Sequence, residues 1–162
     1  MDDSAIADNC DRPVPPDGRW RAIGNAGSFT DHCGTFYWRD AELEEPGDAR
    51  FGFRVEQHHC NLRPTGHGGL LAMVADVFMA RGALLVDGVA TPLPTISLTI
   101  DYLAPAPLGA WIEAEVVVTR TTRALAFVRT MLFDGDVPLL QASAVFRHSG
   151  ARGAAETQAK GS

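Results

Sequence analysis

The feature that most constrains this chain is the stretch NLRPTGHGGLLAMVADVFMA, residues 61–80. From Gly68 to residue 86 the sequence has helical length and is apolar on every side, so no stripe marks a solvent face. Such a helix must be wrapped, and nothing else in the chain reads as a second helix able to cover it. What surrounds it reads as strands. FGFRVEQHH (51–59) alternates, with Phe51, Phe53 and Val55 on one side and Arg54 and Glu56 on the other, and GTFYWR (34–39) reads as a short strand ahead of it. Gly47 and Asp48 mark the turn between them. After a loop at Pro92 and Pro94, TISLTIDYL (95–103) puts Ile96, Leu98, Ile100 and Tyr102 on one face and Thr95, Ser97, Thr99 and Asp101 on the other. Runs at 110–120, 124–134 and 138–147 follow, separated by Gly109, Thr121-Thr122 and Asp134-Gly135-Asp136. Short turns make antiparallel neighbours. The expectation is an α+β fold, a curved antiparallel sheet wrapped around one long central helix. Its open edges call for a dimer that joins two sheets.

The 162 residues fit one domain: an extension over 1–28 that holds Pro13, Pro15 and Pro16, a folded part over 29–148, and a small polar tail over 149–162. Apolar content of 46% and charged content of 21% are those of a globular protein. The net charge of −6 comes without a basic stripe, which argues against nucleic acid as a partner. The acidic start, MDDSAIADNC, lacks the apolar core of a secretory signal. The longest apolar run is broken by Asp76 and Arg81, which argues against a membrane span. Three cysteines, Cys10, Cys33 and Cys60, without a signal suggest reduced thiols in a cytoplasm.

Asp76 is the anomaly. Its helical neighbours are Ala72, Met73, Met79 and Ala80, none able to pair with it, and Arg81 lies on another face. An unpaired buried carboxylate is costly, or it titrates upward. The plain alternative is a structural acid paired with a distant group, or one that faces solvent after all. Before the helix stands Gly66-His67-Gly68-Gly69. Glycines there leave bare amides at the positive helix end, suited to an oxyanion, or else merely allow a tight turn. The stretch lacks the residues of a P-loop. Asn61 and His67 have local alternatives as a loop hydrogen bonder and a helix cap. His58, His59, Cys60 and His67 match no standard zinc spacing, and adjacent strand histidines would face opposite ways, so no metal is expected. Cys60 as a nucleophile would need a base and a lowered pKa.

Asn61, His67-Gly68-Gly69 and then Asp76 within the helix resemble the hotdog-fold acyl-CoA thioesterases of the phenylacetate-pathway type, within the 4-hydroxybenzoyl-CoA thioesterase-like superfamily. The pattern there is N-x-x-G/P-x-x-HGG with an acid about two helical turns later, and here it reads NLRPTGHGGLLAMVAD. TISLTIDYLAPAPLGAWIEAEVVV resembles the family's second strand, and QASAVFRH its last, so the resemblance spans residues 34–148. It implies the hotdog fold, with the acid at a dimer interface facing a ligand tunnel. It implies Asp76 as general base or nucleophile and the Gly68 amide as oxyanion donor. Asn61, from a partner subunit, would hold the thioester or the attacking water. His67 would orient the turn and Asn61, and Thr95 would stand where relatives position water. Gly69 would border the substrate. Relatives often carry Gly where Pro64 stands, which puts the shape of the 61–66 loop in question. Arg120 and Arg123 are candidates for the CoA phosphates, with solvated turn charges as the alternative.

The expectation is therefore a cytoplasmic homodimer or homotetramer that hydrolyses acyl-CoA or aryl-acyl-CoA thioesters. It needs no cofactor, because CoA is part of the substrate and the thioester is already activated. Two alternatives stand beside it: a non-catalytic acyl-CoA-binding hotdog protein, and a hotdog enoyl-thioester hydratase or dehydratase.

Overall fold

A computed structural model describes residues 15–16, 18–23, 29–39, 48–89 and 91–150. The polar tail beyond residue 150, the start through residue 14 with Cys10, and Gly47 lie outside the described residues. The alternating segments form the strands expected of them: β1 Arg21–Ala22, β2 Phe36–Arg39, β3 Asp48–Arg54, β4 Thr95–Tyr102, β5 Trp111–Thr121, β6 Leu125–Asp134 and β7 Val137–Arg147. A short helix, α1 Phe29–His32, precedes β2, and the long helix, α2 Gly68–Asp87, separates β3 from β4. One antiparallel sheet runs in the order β1-β2-β3-β5-β6-β7-β4. β4 is therefore an edge strand, paired on one side to β7.

The sheet wraps α2 on one face. Leu71, Val74, Ala75, Phe78, Met79, Gly82 and Ala83 are buried and lie mainly against β5, β6 and β3. The opposite face, with Met73, Asp76, Val77 and Ala80, is only half-buried, so the described residues do not wrap the helix as its apolar sequence demands. By length and hydropathy α2 could also cross a membrane. Its packing on the sheet is that of a core helix. Gly88 ends it in the left-handed conformation, with φ 59°.

Helix and sheet approach closely at Gly82. A Cβ added there would sit 2.4 Å from Val116 Cγ1 on β5. Gly82→Val should therefore cost stability, by about 1–3 kcal/mol of overpacking. In an exposed helix the same loss of glycine would be neutral or favourable. Urea unfolding reads the difference, and an unshifted midpoint would mean that the helix has room to retreat.

Two expectations need correction. The strand expected over 51–59 ends at Arg54, and Gln57–His59 form a 3₁₀ turn closed by a reciprocal capping box between Glu56 and His59. Arg21 and Ala22, assigned to the extension from sequence, belong to the sheet. They pair with β2, and Trp20 is buried against Trp111 on the outer face, with ring centroids 5.1 Å apart.

Candidate active site

Asp76 projects from the helix face that the sheet leaves open and is half-buried. Its Oδ1 accepts a hydrogen bond from the Thr95 hydroxyl at 2.8 Å. Strict alternation put Thr95 on the polar side of β4. An irregularity between Thr95 and Ser97 changes this: Thr95 pairs with Phe146, whose side chain is buried in the core, whereas Ser97 pairs with Val145. The extra residue turns Thr95 to the helix side, where Leu98 and Ile100 also lie. Asp76 and Thr95 thus meet because of a local break in the strand period.

The helix N-terminus is held by two side chains. His67, the N-cap, accepts the Gly69 N–H at Nδ1 over 2.9 Å. Tyr102 on β4 donates its hydroxyl to the Gly68 carbonyl at 2.8 Å. The Gly69 amide is therefore occupied by the His67 ring. Among the described residues nothing accepts from the Gly68 N–H. That amide sits at the positive end of a 20-residue helix, where an oxyanion is favoured. Sequence reading did not single out Tyr102. Its aromatic ring on an alternating strand looked like one more core residue.

The 61–66 loop is tied down by the segment after β4. Gly66 N–H donates to Ala106 O at 2.8 Å and Leu108 N–H to Pro64 O at 2.9 Å, with a bridge between Thr65 and Pro107. Pro64 fits because this contact uses its carbonyl and needs no N–H. Asn61 is exposed, and its Nδ2 donates within the loop to Thr65 O (3.3 Å) and Gly66 O (3.4 Å). His67 makes no hydrogen bond to Asn61 among the described residues, so within one chain it orients the turn but not Asn61.

His59 is structural. Its Nδ1 accepts the Glu56 N–H at 2.9 Å, which leaves Nε2–H to donate to Cys33 O at 2.6 Å. The ring is buried, and burial holds its pKa below the ordinary histidine value against the opposing pull of the Cys33 carbonyl. Because the folded value is lowered, stability is intact above the unfolded value of about 6.5 and declines as pH falls below it toward the folded value. His59→Gln should flatten that acid-side decline while lowering stability at neutral pH. Melting temperature followed from pH 8 to 5 tests this, and parallel curves for the two proteins would remove His59 as the cause. Burial pushes the Cys60 thiol up, which argues against its use as a nucleophile. Among the described residues no group of three or more His, Cys, Asp or Glu is placed to hold a metal ion.

Arg120 and Arg123 are exposed around the β5–β6 turn. Register adds Arg147, which sequence reading missed. It pairs with Leu125 on β6, and its backbone N–H donates to Pro94 O at 3.0 Å, next to Thr95. None of the three is in an ion pair among the described residues.

A helix cupped by a curved antiparallel sheet, with an acid on its open face and a glycine amide at its start, defines a hotdog-fold protein. Residues 64–141 match the thioesterase superfamily. The esterase-named protein PA0474 of Pseudomonas aeruginosa is 29% identical over 132 residues, 81% of this chain and 95% of that one. Human acyl-coenzyme A thioesterase 13 is 34% identical over 82 residues, 51% of this chain and 58% of that protein. The chain thus spans a little over half of the human relative. The crystal structure of zebra fish thioesterase superfamily member 2 superposes with a TM-score of 0.67 over 78% of this chain and 89% of that one, at 23% identity, a likeness of fold. The match to the thioesterase superfamily thus covers residues 64–141, a little under half of the chain, and the fold is that of solved hotdog thioesterases.

Proposed function

We propose that this protein hydrolyses acyl-CoA thioesters, with Asp76 as the reacting acid. The observation that carries the reading is the Asp76–Thr95 pair on the open face of the helix whose first amide, Gly68 N–H, is unengaged. A thioester carbonyl held at that amide of a second copy has its developing negative charge stabilised by the amide and the helix dipole, because Gly68 and Asp76 of one chain lie about 12 Å apart along α2. Asp76 then takes a proton from water as the water attacks the carbonyl, or attacks it directly to form an anhydride that water opens. In either route the C–S bond breaks, CoA leaves as its thiolate, and the acid is released. Thr95, donating to one carboxylate oxygen, fixes the carboxylate and leaves the other oxygen for the reaction.

The active unit of this reading is a homodimer. Among the described residues β4 has an unpaired edge, and Ile96, Tyr102 and Leu103 there are more than half exposed beside the uncovered face of α2. A second copy that continues the sheet at β4 would cover both, and it would bring its Asn61 to the thioester or the attacking water. Arg120, Arg123 and Arg147 would meet the phosphates of CoA at the end of the sheet where β4 begins. The free thiols Cys33 and Cys60 suit a cytoplasmic setting.

Thiol release from acetyl-, octanoyl-, phenylacetyl- and palmitoyl-CoA tests the activity, and sedimentation at micromolar protein tests the dimer. CoA binding without thiol release from any of the four would overturn hydrolysis in favour of a binding protein. A monomer with full activity would overturn the shared site.

A further inference from the structure

Gly68 is the joint between two peptide planes. The His67–Gly68 plane carries the unengaged N–H, and its carbonyl, His67 O, accepts the Leu71 N–H at 3.2 Å. The Gly68–Gly69 plane is held at both ends. Its carbonyl accepts the Tyr102 hydroxyl at 2.8 Å, and its N–H donates to His67 Nδ1 at 2.9 Å. The bond from Leu71 lies at the long end of the N–H···O range, so the Gly68–Gly69 plane is the firmer anchor. Without a Cβ, Gly68 has soft dihedrals, and a helix that opens Gly-Gly lacks the stiffness that would otherwise aim its first amide. Tyr102 supplies it in two ways. Besides the hydrogen bond, its ring lies over Gly68: a Cβ built there would meet Cε1 at 3.4 Å and Cζ at 3.5 Å, an ordinary van der Waals contact. Tyr102 is the last residue of β4 and Thr95 the first. One strand thus holds both groups of the chemistry, with Thr95 on the Asp76 carboxylate and Tyr102 on the peptide that follows the open amide.

We propose that Tyr102 is a positioning residue: through the Gly68 carbonyl its hydroxyl aims the Gly68 N–H at the thioester oxygen, and it does so for the site whose acid belongs to a second copy. The assignment rests on the hydrolase reading. Each site of the dimer then combines Gly68 and Tyr102 of one chain with Asp76 and Thr95 of the other, and each β4 serves both sites at once. An amide off its line loses hold of the oxyanion, which develops only in the transition state, so the loss falls on kcat and spares KM. Removing an oxyanion donor outright lowers kcat by about 10²–10³-fold, so an amide that is present but loosely aimed should lose less, about tenfold.

Tyr102→Phe keeps the ring on Gly68 and removes the hydroxyl alone. In the homodimer, kcat for acyl-CoA hydrolysis should fall about tenfold with KM within about twofold of wild type. An unchanged kcat, or a KM that rises as far as kcat falls, overturns the assignment. A hybrid dimer of one Tyr102→Phe chain and one Asp76→Asn chain, co-expressed with two tags and isolated on both, decides which site the hydroxyl serves. One of its sites keeps both Tyr102 and Asp76, so it should reach about half of the wild-type kcat per dimer. If the hydroxyl served the acid of its own chain, the one site with an acid would be the impaired one, and a hybrid at about one-twentieth of wild type would overturn the crossed arrangement. Relaxation of the Gly68 and Gly69 amide ¹⁵N nuclei gives a readout that needs no turnover. Both amides should become more mobile in Tyr102→Phe while those of Val74 and Phe78 hold still. Unchanged mobility at Gly68 and Gly69 overturns the hold of Tyr102 on that amide. A rise in mobility in a protein whose wild type releases no thiol keeps that hold and sinks the hydrolase. Thiol release with neither a fall in kcat nor a rise in mobility keeps the hydrolase and sinks the role of Tyr102.

Discussion

Asp76→Asn is expected to lose thioester hydrolysis by about 10²–10⁴-fold in kcat, the range a positioned base or nucleophile supplies. The amide keeps the shape of the side chain and can still accept from the Thr95 hydroxyl, so the helix and the 2.8 Å contact have no reason to move. It can neither take the proton from water nor form an anhydride. KM should change little, because the Gly68 amide and the arginines are untouched. A folded Asp76→Asn protein that retains wild-type turnover would remove Asp76 from the chemistry and leave the Gly68 amide without a reacting partner. Thr95→Val separates positioning from chemistry. It removes the hydroxyl and keeps the shape, so it should lower kcat by less than the loss of the acid does.

Phe78→Ala should cause the largest loss of stability, about 3–5 kcal/mol. Its ring is fully buried. It stacks on Phe51 with centroids 4.9 Å apart and meets Phe36 edge-on at 5.8 Å and Phe53 at 6.4 Å. Truncation leaves a ring-sized hole in an aromatic cluster that joins the helix to β2 and β3, whose backbones are pinned by neighbouring strands and cannot collapse into it. Against a total stability of roughly 5–15 kcal/mol this is a severe lesion. Urea unfolding should show a large fall in midpoint. Phe78 faces the sheet while Asp76 faces away from it, so activity should fall with the folded fraction, and whatever remains folded should turn over normally. A loss below about 1 kcal/mol would mean that the cluster repacks.

The fold was legible because its signals are periodic. The spacing of Phe51, Phe53 and Val55, the long apolar run after Gly68, and the short turns at Gly109 and Asp134-Gly135-Asp136 each state locally which element forms. The run Asn61, His67-Gly68-Gly69, Asp76 also marked the candidate site, since these residues fall on one short stretch of sequence at and after the helix start. Where the period breaks, the sequence misleads. The irregularity after Thr95 moved it from the expected polar face to Asp76, and the 3₁₀ turn at Gln57–His59 ended an alternation that looked unbroken.

The sequence by itself determined the helix, the strands, their antiparallel neighbours and the candidate acid on the helix, because backbone period and side-chain polarity encode those one segment at a time. Only the tertiary structure decided which amide at the helix start stays unengaged, that Tyr102 holds Gly68 from 34 residues away, and that Arg147 joins Arg120 and Arg123 at one end of the sheet. Each of those depends on pairing register and on contacts between segments distant in the chain, and no local pattern of residues records them.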